Sequence, residues 1–320
     1  MLKTFVCAIT LFSTLSVSSI VSATALVGAD SQSWPRTFTS VDGSMVEIKS
    51  KPTRILSASV SITGTLLAID APVIASSTTA NGQFFAQWDA IAKQKGVEKL
   101  WSAGSVDLEM AYAVAPDLIV VSINGGDTVY PQVSQFQQIA PTIVLDYGKQ
   151  GWESLALQLG QATGQEKAAT DLLEGFDKFI EESKSQLQLP DGEANIIAYF
   201  GPGTVNPVSL KTSPHAILLQ QLGFSIESAP SEWQPKDKPV SDFVWAQYEH
   251  LTQLNAPTTF LLRGTDKEAQ NFMADPILAN LNAVKNKQVY GLGANSFRVD
   301  YYSAQEIIND IVARFKKHES

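Results

Sequence analysis

Few side chains in this sequence could carry out covalent or metal chemistry. The chain has one cysteine, Cys7, and three histidines, His215, His250 and His318. Thiol catalysis and zinc binding both depend on these residue types. No serine elbow of the form G-x-S-x-G, zinc motif H-E-x-x-H or phosphate loop ending in Gly-Lys-Ser/Thr occurs. We therefore expect no enzyme and no metal cage made by the protein alone.

The amino-terminal segment predicts export. Lys3 is followed by an apolar stretch from Phe5 to Val21 and by the small residues of 22–25, which together form the pattern of a secretory signal. Cleavage after Ala25 would remove the only cysteine and leave a periplasmic protein without disulfides. The formal net charge of −9 disfavours nucleic acid and anionic lipid as partners. An anionic ligand would therefore need local positive charge.

The alternation of apolar runs with helical patterns predicts an α/β protein with two Rossmann-like lobes joined by one long backbone helix. Apolar residues keep helical spacing from Trp152 onward, and 166–187 would form a helix of roughly 33 Å. The expected organisation is a signal peptide at 1–25, an amino-terminal lobe at 26–150, the connecting helix at 151–189 and a carboxy-terminal lobe at 190–320.

The sequence of the second lobe predicts further helices and strands. Ser213 and Pro214 are a cap and first-turn pair that would open a helix at 215–222. This places His215 at a helix start. Helices are also predicted at 243–254 and 303–317, with His250 as a surface residue of the first of these. Strands are predicted at 195–200, 259–262 and 288–292.

Three stretches carry a family resemblance. They are 51–69, 115–120 and 275–290, the last continuing into 297–303. In these stretches the chain resembles the helical-backbone, or class III, periplasmic substrate-binding proteins of iron-siderophore ABC importers. The runs at 68–76 and 297–303 resemble the members that bind ferric catecholates such as ferric enterobactin.

The resemblance implies a binding protein that captures a ferric catecholate siderophore between its lobes. It would deliver this ligand to an inner-membrane ABC permease with its ATPase. The ferric siderophore is the ligand, so no cofactor is expected, and we expect a monomer. The resemblance also implies one glutamate per lobe that docks on the permease, and Glu109 and Glu249 occupy the matching positions.

A ferric tris-catecholate carries three negative charges and three flat rings. Its site needs cationic and aromatic side chains and does not need protein atoms on the iron. We expect these side chains on loops at the strand ends. Arg298 and then Arg263 are the first choices for the charge. The further cations are Lys211, Lys236 and Lys238, and the expected stacking surfaces are Trp101, Phe84, Phe85, Trp233 and Tyr301.

The loop before the first-lobe tryptophan departs from the family pattern. Where the resemblance to the ferric enterobactin binders implies an arginine, residues 81–88 read NGQFFAQW, without a basic residue. The first lobe therefore offers less positive charge, which favours a less charged or partly hydrolysed catecholate. If such a ligand left iron positions open, His215 or Tyr302 would complete them.

Two other readings stay open. Within binding proteins, the ligand could be haem, cobalamin or a hydroxamate siderophore, and haem would need an axial His or Tyr. From a different class, the protein could be a periplasmic hydrolase that opens siderophore esters, although no nucleophile elbow is present.

Overall fold

The structure is a computed structural model that describes residues 33–237 and 242–317. The predicted signal peptide, Lys238 and His318 lie outside these residues. No helix in the described ranges is long and apolar enough to cross a membrane.

The first lobe is built on a five-stranded parallel sheet with the strand order β5-β4-β3-β6-β7. An antiparallel hairpin of β1 and β2 precedes it. The strands are β1 Arg36–Thr39, β2 Met45–Ile48, β3 Ile55–Ser57, β4 Val73–Thr78, β5 Glu98–Ser102, β6 Leu118–Ser122 and β7 Thr142–Leu145. The helices are α1 Val60–Ala68, α2 Ala86–Gln94, α3 Leu108–Ala113 and α4 Val133–Phe136, the last preceded by a 3-10 turn at Tyr130–Gln132.

Two helices connect the lobes. These are α5 Trp152–Thr163 and α6 Glu166–Ser185, separated at Gly164, whose φ of 68° suits a residue without a Cβ. They pack closely, since a Cβ on Gly160 would lie 3.0 Å from the Cβ of Ala169. Helix α6 corresponds to the long helix predicted at 166–187 and ends two residues earlier.

The second lobe is built on a mixed sheet with the strand order β11-β9-β8-β12-β13, and β10 pairs with β8. The strands are β8 Glu193–Ile197, β9 Val205–Ser209, β10 Ser225–Ile226, β11 Phe243–Gln247, β12 Thr258–Leu261 and β13 Val289–Gly291. The helices are α7 Pro214–Gln221, α8 Asp266–Met273, α9 Asn282–Lys285 and α10 Tyr301–Phe315, with 3-10 helices at Ser231–Trp233 and Tyr248–Gln253. The Ser213 cap of α7 is confirmed, because its hydroxyl accepts from the Ala216 amide.

The helix predicted at 243–254 is wrong. Residues 243–247 form β11, which pairs antiparallel with β9, and a 3-10 helix follows. Val244 and Ala246 are buried while their neighbours are more exposed, which is the period-two pattern of a strand. The helical spacing in this stretch was a false signal because hydrogen bonding to β9 decided the backbone conformation.

The carboxy-terminal helix joins the two lobes at its start. Asp300 caps α10 by accepting from the Ser303 amide, and its other oxygen accepts from Gln87 Nε2 of α2 at 3.0 Å. Gly64 of α1 lies against the same carboxylate, since a Cβ there would be 3.2 Å from Asp300 Oδ2. The second lobe is thus held against first-lobe helices on this side. The boundaries between domains stay predictions.

Candidate ligand-binding cleft

A cavity of about 520 Å³ lies between the two lobes. The first lobe contributes Ser61 and Thr65 of α1 and the connection 147–151 after β7. The second lobe contributes the ends of β8 and β12, residues of β9 and β11, the start of α7, and 297–300. Ligands of α/β proteins commonly bind at the carboxyl ends of parallel strands, so this placement fits a ligand site.

Arg298, the first-choice cation, lines this cavity. The centre of its guanidinium lies 4.4 Å from the centroid of the Tyr147 ring, which belongs to the first-lobe wall. Its Nε has no hydrogen-bond partner among the described residues. The guanidinium therefore lies on a ring and, within 33–237 and 242–317, forms no ion pair with a carboxylate, which favours contact with an anionic ligand.

The Tyr147 ring is itself fixed by a buried carboxylate. Its hydroxyl donates to Asp127 Oδ1 at 2.7 Å, while Asp127 Oδ2 accepts from the Ser59 hydroxyl and the Ser61 amide at 2.7 and 2.8 Å. Burial, followed by the Asp127 charge, raises the pKa of Tyr147 to about 12. Tyr147 is therefore a neutral donor that holds its ring beneath Arg298.

Arg263 lies in a smaller adjoining pocket of about 340 Å³. This pocket shares Phe200 and Leu262 with the main cavity. The guanidinium of Arg263 lies 3.8 Å from the centroid of the Phe297 ring. Phe200 and Phe297 are 56% and 49% exposed, which is unusual for phenylalanine, and both line the cavity.

The structure places the other expected stacking residues away from the walls of the main cavity. Trp101 is 4% exposed and packs on Phe136. Phe84 and Phe85 pack against Trp88, and Tyr301 contacts Trp152 and Phe176. Trp233 is buried and stacks on His250 with the ring centroids 5.1 Å apart, so His250 is half-buried and not the surface residue that was expected. The aromatic residues that line the cavity are Tyr147, Trp152, Phe200, Phe243, Trp245 and Phe297.

The remaining lysines differ in their relation to the cavity. Lys211 lies 3.6 Å from Glu193 on the surface, and Lys236 is exposed; neither lines the cavity. Lys149, which the sequence interpretation did not select, does line it, with its side chain 84% exposed and 3.8 Å from Asp146. The sequence position of Lys149 could have indicated this, because the residue follows the last parallel strand of the first lobe and ligands bind at such strand ends.

His215 lines the cavity, whereas Tyr302 packs at the edge of the first-lobe core. Nε2 of His215 lies 2.7 Å from the Ser296 carbonyl and therefore carries the proton, while Nδ1 has no partner among the described residues. Burial lowers the pKa of His215 to about 4, so the ring is neutral near pH 7. Burial likewise raises the pKa of Tyr302 to about 12. No group of three or more metal-ligating side chains occurs in the described ranges.

Three carboxylates also line the cavity: Glu153, Asp242 and Asp300. Burial raises the pKa of each of them. Asp300 is engaged in capping α10. Within the described residues, neither Glu153 nor Asp242 forms an ion pair.

The two predicted docking glutamates are both exposed. Glu109 lies in the first turn of α3, where the Asp107 side chain accepts from the amides of Glu109 and Met110. Glu249 lies in the 3-10 helix that follows β11. The neighbouring Tyr248 hydroxyl donates to Asp275 Oδ2 at 2.5 Å, and Tyr199 donates to the same oxygen at 2.6 Å.

Comparison with known proteins identifies the family. Residues 55–296 match the family described as periplasmic binding protein, so the chain belongs to this family. It is 38% identical over 292 residues to the ferric enterobactin-binding periplasmic protein FepB of Escherichia coli O6:H1, which covers 88% of this chain and 91% of that protein. The family expected from the sequence is thereby confirmed.

Solved structures agree with this assignment. The crystal structure of holo-ViuP matches with a TM-score of 0.85 and 52% identity, covering 89% of this chain and 96% of that one. The periplasmic catecholate-siderophore binding protein VctP of Vibrio cholerae matches with a TM-score of 0.63 over 88% of this chain and 100% of that one. At 19% identity, VctP supports the fold alone. The expected α/β fold with two lobes is confirmed.

Proposed function

We propose that this protein captures a ferric catecholate siderophore in the cleft between its lobes and delivers it to an inner-membrane ABC importer. The observation that carries the proposal is Arg298, which lies in the cavity wall on the Tyr147 ring without a carboxylate partner among the described residues. A protein that is 38% identical over most of the chain is named for binding ferric enterobactin.

In this proposal the ligand contacts come from both lobes. Arg298 and Lys149 provide positive charge, and Tyr147, Trp152, Phe200 and Phe297 provide ring surfaces. Arg263 would reach a catecholate arm that enters the adjoining pocket. A hexadentate siderophore needs no protein atom on the iron. Of the two residues proposed for an open iron position, only His215 lines the cavity.

We further propose that Glu109 and Glu249 dock on the permease. Both are exposed. The Glu109 amide donates to the Asp107 side chain, and the residue before Glu249, Tyr248, donates to Asp275. Exposed ion pairs contribute little to stability but can set orientation and the rate of encounter. The protein would act as a periplasmic monomer, after removal of a signal peptide, and without catalytic activity of its own.

The test is a titration of the mature protein followed by tryptophan fluorescence. Trp152 and Trp245 line the cavity, so a bound ferric chelate should quench their emission. The ligands are ferric enterobactin, its linear fragments, ferrichrome and haemin. Saturable quenching below micromolar concentration, about −8 kcal/mol or better, by catecholates alone supports the proposal.

Quenching by haemin or ferrichrome instead would retain the binding-protein family and reject the catecholate ligand. Absence of quenching by every ligand would reject siderophore capture itself. Chromatography of enterobactin after incubation with the protein tests the hydrolase alternative, since an ester hydrolase would release linear fragments.

A further inference from the structure

The charges that line the cleft do not match a ligand with three negative charges. Two cationic side chains, Lys149 and Arg298, line the main cavity together with three carboxylates, Glu153, Asp242 and Asp300. The adjoining pocket adds one charge of each sign, from Arg263 and Glu268. His215 adds no charge, because burial lowers its pKa to about 4. The cavity therefore lacks the surplus of positive charge that a tris-catecholate trianion would require.

Glu153 is placed at the cavity by the start of α5. It is the second residue after the Gly151 cap, where the helix dipole favours a carboxylate. The side chain folds back over the cap, since a Cβ on Gly151 would lie 2.6 Å from Glu153 Oε2. Burial, with a smaller contribution from the charge of Asp177, raises the pKa of Glu153. No described lysine or arginine neutralises this group.

Asp242 provides the second carboxylate from the opposite lobe. It immediately precedes β11, and its backbone carbonyl accepts from the Leu210 amide at 2.9 Å, which holds the residue in place. Its side chain lines the cavity and has no ion-pair partner in the described part of the chain. Asp300, in contrast, is committed to capping α10 and to Gln87. Asp300 is therefore occupied by hydrogen bonds within the protein. Glu153 and Asp242 are the two carboxylates of the cavity whose charge a bound ligand would experience.

We infer that the cleft selects a ferric catecholate that carries fewer than three negative charges, with Glu153 and Asp242 as the specificity-determining residues. The inference rests on the proposed function and narrows its ligand. The mechanism is repulsion: each carboxylate opposes every negative charge of the chelate, so the loss of affinity grows with the ligand charge.

The experiment compares three ferric chelates that fill all six iron positions. They are ferric enterobactin with three negative charges, a synthetic chelate of two catecholates and one hydroxamate with two, and uncharged ferrichrome. Dissociation constants are measured by fluorescence quenching for the wild type, Glu153→Gln, Asp242→Asn and the double variant. The control is Glu174→Gln, an exposed residue of α6 that makes the same change in net charge.

We expect the wild type to bind the dianionic chelate at least about tenfold more tightly than ferric enterobactin, a difference of about 1.4 kcal/mol. In the double variant, the ratio of the two dissociation constants should fall at least about fivefold, because the affinity for ferric enterobactin rises. Glu174→Gln should leave this ratio unchanged. A wild type that prefers the trianion overturns the inference, and this comparison needs no variant to fold.

Equal gains for both charged chelates in the double variant, or the same shift in Glu174→Gln, would also overturn the inference. These outcomes differ from failure of the proposed function, in which neither catecholate chelate binds the wild type or any variant. Circular dichroism melting of each variant verifies that affinities refer to folded protein.

Discussion

The two lobes contribute differently to the cleft. The first lobe presents small hydroxyl residues from α1, Ser61 and Thr65, while its aromatic residues Phe84 and Trp101 pack into the core. The second lobe presents the exposed rings of Phe200 and Phe297 together with Arg298. In the proposed function, the second lobe would therefore provide most of the aromatic and cationic contacts to the ligand, and the first lobe would provide mainly hydroxyl groups.

The segment that follows β7 adds charged and aromatic side chains to the first-lobe side of the cleft. Residues 147–153 follow β7 and carry a ring, a cation and a carboxylate: Tyr147, Lys149 and Glu153. The segment runs from the end of β7 into the first turn of α5, and the Tyr147 hydroxyl is held by Asp127.

The largest expected effect concerns docking on the permease, to which each lobe should contribute one glutamate. We expect Glu109→Lys combined with Glu249→Lys to abolish siderophore-dependent transport while leaving ligand affinity within about twofold, because both residues are exposed and neither lines the cavity. Uptake of ferric siderophore into cells is compared with the dissociation constant of the purified protein. Loss of affinity in the double variant would refute the docking role.

The next effect tests whether the second lobe dominates ligand binding. We expect Arg298→Ala to weaken binding of a ferric catecholate about tenfold to a hundredfold, since hydrogen bonds to charged groups contribute about 1.5–3 kcal/mol. Lys211→Ala removes a surface charge outside the cavity and serves as the control. Fluorescence titration measures both. Unchanged affinity in Arg298→Ala would mean that other residues bind the negative charge of the ligand.

A smaller effect tests the first-lobe wall. Tyr147→Phe retains the ring beneath Arg298 but removes the hydroxyl that donates to Asp127. We expect the free energy of unfolding to fall by about 1–3 kcal/mol, because the buried carboxylate loses a donor. Ligand affinity should change less than in Arg298→Ala. Denaturant unfolding measures the first quantity, and an unchanged midpoint would contradict the support role of Asp127.

The smallest expected effect is a pH dependence of stability in the second lobe, at the carboxylate that contacts Tyr248 beside Glu249. Burial alone would raise the pKa of Asp275, but hydrogen bonds from Tyr199 and Tyr248 outweigh it and hold the value below 3.8. A carboxyl whose pKa is lower in the folded state stabilises the fold above its unfolded pKa, and this stabilisation is lost as the pH falls through the folded value. Tyr199→Phe with Tyr248→Phe should therefore flatten the decline of stability below about pH 4. Melting temperatures of the wild type and the variant between pH 6 and pH 3 measure this slope. Parallel curves would contradict the prediction.

Much of the architecture was predictable because local signals agreed with the tertiary fold. The strand predicted at 259–262 appears within one residue of its expected bounds, the Ser213 cap is present, and the long helix begins at Glu166 as predicted. Buried parallel strands and capped helices carry their signal in a few consecutive residues. The stretch 243–254 was different, because a strand with an adjacent 3-10 helix buries apolar residues at spacings that also fit a helix.

The candidate site was only partly predictable. Arg298, which the sequence predicts as a ligand-binding residue, lines the cavity, whereas Lys149, Glu153 and Asp242 line it without having been predicted. Aromatic residues such as Trp101 and Phe84 have the same chemistry whether they face the cleft or the core. Sequence position places them on a loop or helix near the cleft, but it does not say which way the ring points.

The amino-acid sequence by itself determined the class of fold, the family and the residue types available for an anionic ligand. These follow from apolar periodicity, caps and motifs, which are properties of short segments. The tertiary structure alone decided which charges share the cleft, because Lys149, Asp242 and Arg298 come from three distant segments. The electrostatic balance of a site depends on distances through space, and the chain order does not contain those distances.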